Sequence, residues 1–379
     1  MASHQRILVL GTSDGGGDWP PLAAVTLGLY QAGHAVLCFG DAAVAQDCAL
    51  MGIPAEVGRA ADSLGALMAQ WRAAGASEPP PMRVWADACL PAIRTIVRDF
   101  RPGLVLSQLF TMELARLTKE TCGLRWCFIN PAYYFGPDST HTVEADFVGP
   151  ARTLFPYLMQ ALGEADLVLH GTDALFDPPP PSFPRHHHHV GPLMWEPASE
   201  VPAYLDIPGA PWVLVTLSSA PQPDEMSFAR TALQTLAEFP VRVVLPLSAG
   251  HPRDELGSIP ANARIERFVP HSAVLKRSCL LVSHAGHGVV AKALYYGVPM
   301  VLVPWGRDQP GVASRAAALG TAEVLTRQDI TVPRLSAAIH QVLGIPRYQE
   351  IAARIAGRLQ AQDPVALARA RIEELLETT

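Results

Sequence analysis

SHAGHGVVAKALYYGVPMVLVPWGRDQ, residues 283–309, sets histidines 284 and 287 around glycines 286 and 288. An apolar run to Trp305 follows, and the stretch closes on Asp308 and Gln309. From the residues alone three readings stand open: a metal site, a phosphate cradle, or a helix cap followed by a core strand. CLLVSH (279–284) has the continuous apolar character of a strand buried on both faces. The small residues 285–289 then turn the chain into a helix over 287–296. A strand ending at such a helix start presents free backbone N–H groups and the positive end of the helix dipole, which suits an anion. A tetrahedral metal site would need a third and fourth ligand at close spacing; none stands nearby, so no metal is expected.

The same alternation runs outward in both directions. RILVL (6–10), a helix over 20–34 and AVLCFG (35–40) make a βαβ unit. Helices near 86–100 and 111–121 alternate with strands at 103–107, 125–130 and 166–171. Residues 178–211 then carry ten prolines and little periodicity, including PPPPSFPRHHHH, which reads as a linker or surface connection. WVLVTLSS (212–219) restarts the alternation, with a helix over 226–238 and strands at 241–247, 263–268 and 300–304. The expected fold is α/β, two Rossmann-like domains facing across a cleft. The expected bounds are 1–195, 196–360, and a C-terminal helix at 361–379 packing back on the first domain. Ligands of such sheets bind beyond the carboxyl ends of the strands.

Bulk properties narrow the function. The 379 residues, 49% hydrophobic and 17% charged, can bury two cores. A net charge of −6 argues against nucleic acid as partner. No run of eighteen apolar residues predicts a membrane span. MASHQRILVLG enters a strand without a signal-peptide core, so a cytoplasmic location is expected. The six cysteines are scattered without a CxxC pair, as in a reduced protein.

GTSDGGGDWPP, residues 11–21, is the second candidate site. It matches neither the dinucleotide fingerprint nor the Walker pattern. Asp41, at the end of the second strand, is at most a weak ribose-binding acid without that fingerprint. Asp18 stands one step before a helix start, and local sequence also allows it to be an ordinary helix cap. His34 reads as packing at a helix end. The histidine run at 186–189 could take nickel adventitiously.

These motifs resemble bacterial family 1 glycosyltransferases of the GT-B fold, most closely the antibiotic and sterol-type members. PHSAVL (270–275), then HAGHG (284–288), then P-x-x-x-D-Q ending at Gln309 match the nucleotide-sugar signature, and the loop at 11–21 matches the Asp-base loop. The resemblance implies an inverting transfer of a sugar from a UDP- or dTDP-sugar to a hydroxyl of a hydrophobic natural product. It implies no cofactor beyond that co-substrate. Asp18 would be the general base, with Asp14 as the fallback. Ser218, Ser219, Phe268, Val269, His284, Gly286, His287, Gly288, Val289, Asp308 and Gln309 would bind the donor. His284 and the amides of 286–289 would meet the diphosphate, and Asp308 and Gln309 the sugar hydroxyls. Val289 departs from the family's Ser or Thr, which removes one hydroxyl contact of about 1 kcal/mol. Trp71, Phe110, Met112, Tyr133, Tyr134 and Phe135 are the candidate acceptor-lining aromatics and thioether, and ordinary core is the favoured reading for any one of them taken singly. A monomer or homodimer is expected. The alternatives are a nucleotide-sugar epimerase, which would release UDP without an acceptor, and a non-catalytic sugar-nucleotide-binding partner, which would not depend on Asp18. A nicotinamide dehydrogenase fails on the missing fingerprint.

Overall fold

The structure is a computed structural model that describes residues 4–13, 17–58, 64–74, 81–136, 155–219, 222, 224–248 and 250–378. Two compact units result: residues 1–197 with 363–379, and residues 198–362.

The first unit is built on seven parallel strands: β1 (Arg6–Leu10), β2 (Ala35–Gly40), β3 (Ala55–Val57), β4 (Leu104–Ser107), β5 (Arg125–Asn130), β6 (Leu167–His170) and β7 (His187–His189). Their order is β3-β2-β1-β4-β5-β6-β7. Its helices are α1 (Trp19–Gln31), α2 (Ala42–Met51), α3 (Leu64–Ala73), α4 (Pro81–Phe100), α5 (Met112–Cys122) and α6 (Phe155–Glu164). Strands such as RILVL and LVLS are apolar without alternation because helices cover both faces of a parallel sheet.

The second unit repeats the plan. Its strands are β8 (Trp212–Thr216), β9 (Arg242–Pro246), β10 (Ala263–Glu266), β11 (Ser278–Ser283), β12 (Met300–Leu302) and β13 (Ala322–Val324). They are ordered β10-β9-β8-β11-β12-β13. The helices are α7 (Glu225–Leu236), α8 (His271–Leu275), α9 (His287–Tyr296), α10 (Gln309–Ala318), α11 (Val332–Gly344) and α12 (Pro346–Gln360). In each sheet the chain reverses direction beside its first strand, between β1 and β4 and between β8 and β11. That is where a doubly wound sheet opens a crevice at its carboxyl edge.

The last helix, α13 (Pro364–Glu377), belongs to the first unit. Ala368 and Ile372 join that unit's core. The His34 imidazole lies 3.1 Å from the Glu373 carboxylate, which accounts for a buried histidine at the end of α1.

One expectation is overturned. The proline-rich stretch is not a free connector over its whole length: His187–His189 form β7, paired with β6, and Val190 and Leu193 enter the core. The histidines are held by polar partners. His170 Nε2 and His187 Nδ1 are 3.1 Å apart, Asn130 Nδ2 is 2.9 Å from His170 Nδ1, and His189 Nε2 is 2.9 Å from Asp177. Among the described residues, no group of three or more His, Cys, Asp or Glu is arranged to hold a metal ion, this run included. No helix among them is long and apolar enough to cross a membrane.

Candidate functional site

The carboxyl edge of the second sheet is assembled around the β8/β11 reversal. Thr216 Oγ1 donates to Ser283 Oγ at 2.9 Å, and Ser283 Oγ accepts the Ala285 amide at 3.2 Å, which ties the two strand ends together. Ala285 takes a φ of +67°, a left-handed conformation that costs a non-glycine residue roughly 1–2 kcal/mol. This kink throws Gly286 to the N-cap of α9, where a Cβ would come 2.5 Å from His284 Nε2. Gly286 is therefore required by the imidazole itself. Gly286 has no side chain to cap the helix, and helix geometry leaves the amides of the first turn, 287–289, without intrahelical acceptors. No acidic residue sits in that turn. His287 and Val289 are buried and Gly288 is exposed.

His284 is buried, and that burial drives its pKa down to about 4, with the Thr216 carbonyl pulling the other way and the Arg307 guanidinium lowering it further. It is neutral at pH 7. Its Nδ1 faces the Thr216 carbonyl at 3.4 Å, a contact that calls for N–H on that atom and leaves Nε2 as an acceptor. Donation from Nε2 to a phosphate oxygen then requires the other tautomer or a second proton, which a bound anion favours.

Ser218 and Ser219 follow β8, the first buried and the second exposed. Their loop is anchored by Glu225, a carboxylate only 1% exposed at the start of α7. Its oxygens accept the Ser218 amide at 3.1 Å and the Gln222 amide at 2.9 Å, and lie 3.2 Å from His251 Nε2. His251 Nδ1 pairs with Ser248 Oγ at 2.8 Å. Replacing Glu225 with Ala orphans two backbone amides and an imidazole. The expected cost is on the order of 2–4 kcal/mol of unfolding free energy, read from a urea titration.

Beyond β12, the Gln309 side chain folds back. Its Oε1 accepts the Trp305 amide at 2.8 Å and the Gly306 amide at 3.2 Å. Two amide donors require the oxygen there, so the side chain retains only its NH2 for a ligand. The half-buried Asp308 is the N-cap of α10, without a side-chain capping bond. Val269 is buried, whereas the Phe268 ring is 55% exposed, available to a planar base.

The first unit holds a separate cluster at the β1/β4 reversal. Asp41 caps α2 by accepting the Val44 amide at 2.9 Å, and its other oxygen accepts the Thr12 hydroxyl, the Ser13 amide and the Ser13 hydroxyl. Asp41 is thus the tether of the glycine loop. Gln108 Nε2 donates to the Thr12 carbonyl at 2.5 Å, and its Oε1 is buried with no hydrogen-bond partner among the described residues. Asp18 is buried at the N-cap position of α1, yet its side chain makes no capping bond. The sequence explains why: N2 and N3 are Pro20 and Pro21, which have no N–H to offer. The ordinary cap role fails on chemistry. Asp14 lies outside the described residues.

The acceptor candidates divide by exposure. Phe110, next to Gln108 beyond β4, is half-buried. Met112 and Tyr133 are enclosed, and Trp71 and Phe135 are nearly so. Tyr133 and Phe135 pack edge to face, while Tyr134 packs on His170, His187 and Phe183. Sequence reasoning passed over Gln108, Glu225, His251 and Arg307. Only Arg307 carried a local signal, standing directly before Asp308 and Gln309.

Residues 230–374 match the model of the erythromycin biosynthesis protein CIII-like C-terminal domain. The chain is 34% identical over 239 residues to the 4'-demethylrebeccamycin synthase of Lentzea aerocolonigenes, covering 62% of this chain and 56% of that protein. It is 29% identical over 195 residues to the demethyllactenocin mycarosyltransferase of Streptomyces fradiae, covering 52% and 42%. The chain spans about half the length of the curated relatives it matches. Among solved structures it is similar to the spinosyn forosaminyltransferase, with a TM-score of 0.77 at 18% identity over 99% of this chain and 100% of that one. It is also similar to the spinosyn rhamnosyltransferase complexed with thymidine diphosphate, with a TM-score of 0.74 at 19% identity over 96% and 99%. The fold is that of the GT-B glycosyltransferases, and the matching domain and curated relatives carry names from antibiotic biosynthesis, as the resemblance implied.

Proposed function

We propose that the chain is a glycosyltransferase that moves a sugar from a dTDP- or UDP-sugar to a hydroxyl of a hydrophobic natural product, with inversion at the anomeric carbon. The observation that carries this reading is the β11–kink–α9 turn, where His284, an N-cap glycine and an acid-free first turn form a diphosphate cradle within the family-matched region. Asp308 and the NH2 of Gln309 supply an acceptor and a donor for sugar hydroxyls. In the reaction, the acceptor oxygen attacks the anomeric carbon and Asp18 takes its proton. The bond from that carbon to the β-phosphate oxygen breaks, and its electron pair leaves on the diphosphate, which the helix amides stabilise. Phe110, half-buried beyond β4, is the residue we assign to the acceptor, while the buried Gln108 holds the Thr12 carbonyl. Thymidine diphosphate in a solved neighbour supports a dTDP-sugar, and the relatives named for antibiotic pathways support a natural-product acceptor.

Thermal unfolding in the presence of dTDP, UDP and their sugars tests the donor half. A nucleoside diphosphate at a hundredfold excess over its Kd adds about 2.7 kcal/mol of stability. A melting temperature that rises with dTDP or UDP, and not with thymidine or uridine, is expected. A temperature unmoved by every diphosphate would remove the reading.

A further inference from the structure

We propose that Arg307 is a direct ligand of the departing diphosphate, reaching it from the turn after β12 with a guanidinium anchored on Ser218 at the end of β8. This rests on the glycosyltransferase reading and adds to its donor site a residue that the signature motif leaves unspecified.

The backbone is the first indication. Arg307 sits in the turn between β12 and α10 with φ +61°, a left-handed conformation costly for a long side chain. Gln309 Oε1 holds that turn closed through the two preceding amides. The side chain is the second. Nη2 donates to Ser218 Oγ at 2.6 Å, which brings the guanidinium from the end of β12 to the end of β8. Among the described residues, the buried Nε has no hydrogen-bond partner and no carboxylate is paired with Arg307. The nearby Glu225 carboxylate is already engaged by Ser218, Gln222 and His251.

Arg307 is half-buried, and a partly desolvated cation with no carboxylate partner among the described residues favours an anion that completes the site. The position agrees with an anion's place. Arg307 is close enough to depress the His284 pKa, and His284 opens the turn into α9. His284 is uncharged at pH 7, so it brings no positive charge to this cluster, and Arg307 does. A guanidinium offers five fixed donors and can bind phosphate through two at once, which a lost Ser or Thr hydroxyl at position 289 makes the more necessary.

Calorimetric titration of the full chain with dTDP, UDP and thymidine tests the assignment on wild type, Arg307→Met and Arg307→Lys. Met keeps the apolar stem and removes the charge. The expected result is a 10- to 100-fold loss of diphosphate affinity in Arg307→Met, with partial recovery in Arg307→Lys. The unliganded melting temperature of Arg307→Met should be nearly unchanged, because the half-buried guanidinium gives up no carboxylate partner among the described residues; a purely structural arginine would lower it. Wild-type affinity in a folded Arg307→Met would overturn the inference while leaving the donor site intact. A wild-type protein that binds neither dTDP nor UDP would instead overturn the functional reading, and the inference with it.

Discussion

Asp18→Asn will lower kcat for sugar transfer by a factor of 10² to 10⁴ while leaving the Kd for dTDP or UDP unchanged. The factor is what a positioned general base contributes, and the amide keeps the shape of the carboxylate while losing its basicity. The split between the two readouts follows from the fold: Asp18 belongs to the first unit, and the turn proposed to hold the diphosphate to the second. Folding should be nearly indifferent. Asp18 makes no capping bond and Pro20 and Pro21 have no N–H to donate one, so the loss of charge near the helix start costs about 0.3–1 kcal/mol and no cap is lost with it. Initial rates with a glycosyl acceptor, alongside a thermal melt, check both points. Transfer within threefold of wild type would sink the assignment of the base. A large loss in Asp14→Asn with none in Asp18→Asn would move the role to that neighbour.

The largest effect on stability is acid lability that begins well above the carboxylate range. Burial lowers the pKa of His187 and of His284 to about 4, and pushes His170 well below its ordinary value. The other histidines of the run add like charge around His170 and His187. In the unfolded chain each titrates near 6.5. Between 6.5 and 4 the unfolded state therefore binds more protons than the folded one, and stability falls as pH falls through that window. His187 and His284 each cost on the order of 2 kcal/mol at pH 5, before most Asp and Glu residues protonate. A domain with 5–15 kcal/mol in hand becomes marginal. Urea midpoints measured from pH 7.5 to pH 5.0 should drop steadily in both units, since His187 lies in the first and His284 in the second. His187→Gln removes one titrating group and should flatten the curve of the first unit. A midpoint constant over that range would refute the idea that these imidazoles are held neutral.

Much of this protein is written in local patterns. Strands covered on both faces must be continuously apolar, so RILVL, WVLVT and CLLVS declare themselves without knowledge of their neighbours. The strand-to-helix turn at 283–287 was equally readable, because a strand end, small residues and a helix start are consecutive in the chain. Even the failure of Asp18 as a cap follows from two adjacent prolines. The histidine run was misread because four identical polar residues carry no periodicity; only pairing with β6 and the nearby Asn130 and Asp177 make it a strand.

What three-dimensional packing added is of another kind. Arg307 and Ser218 are separated by many residues, as are Glu225 and His251, Gln108 and Thr12, and His34 and Glu373. A hydrogen bond depends on distance and direction, and nothing in a linear pattern encodes either between remote positions. Hydrophobic periodicity specifies which face of an element is covered; it does not specify which polar atoms the cover brings together. The two sheets and the helix start at 287 could be foreseen from residue order, whereas the charge beside that helix start came from folding β8, β11 and β12 side by side.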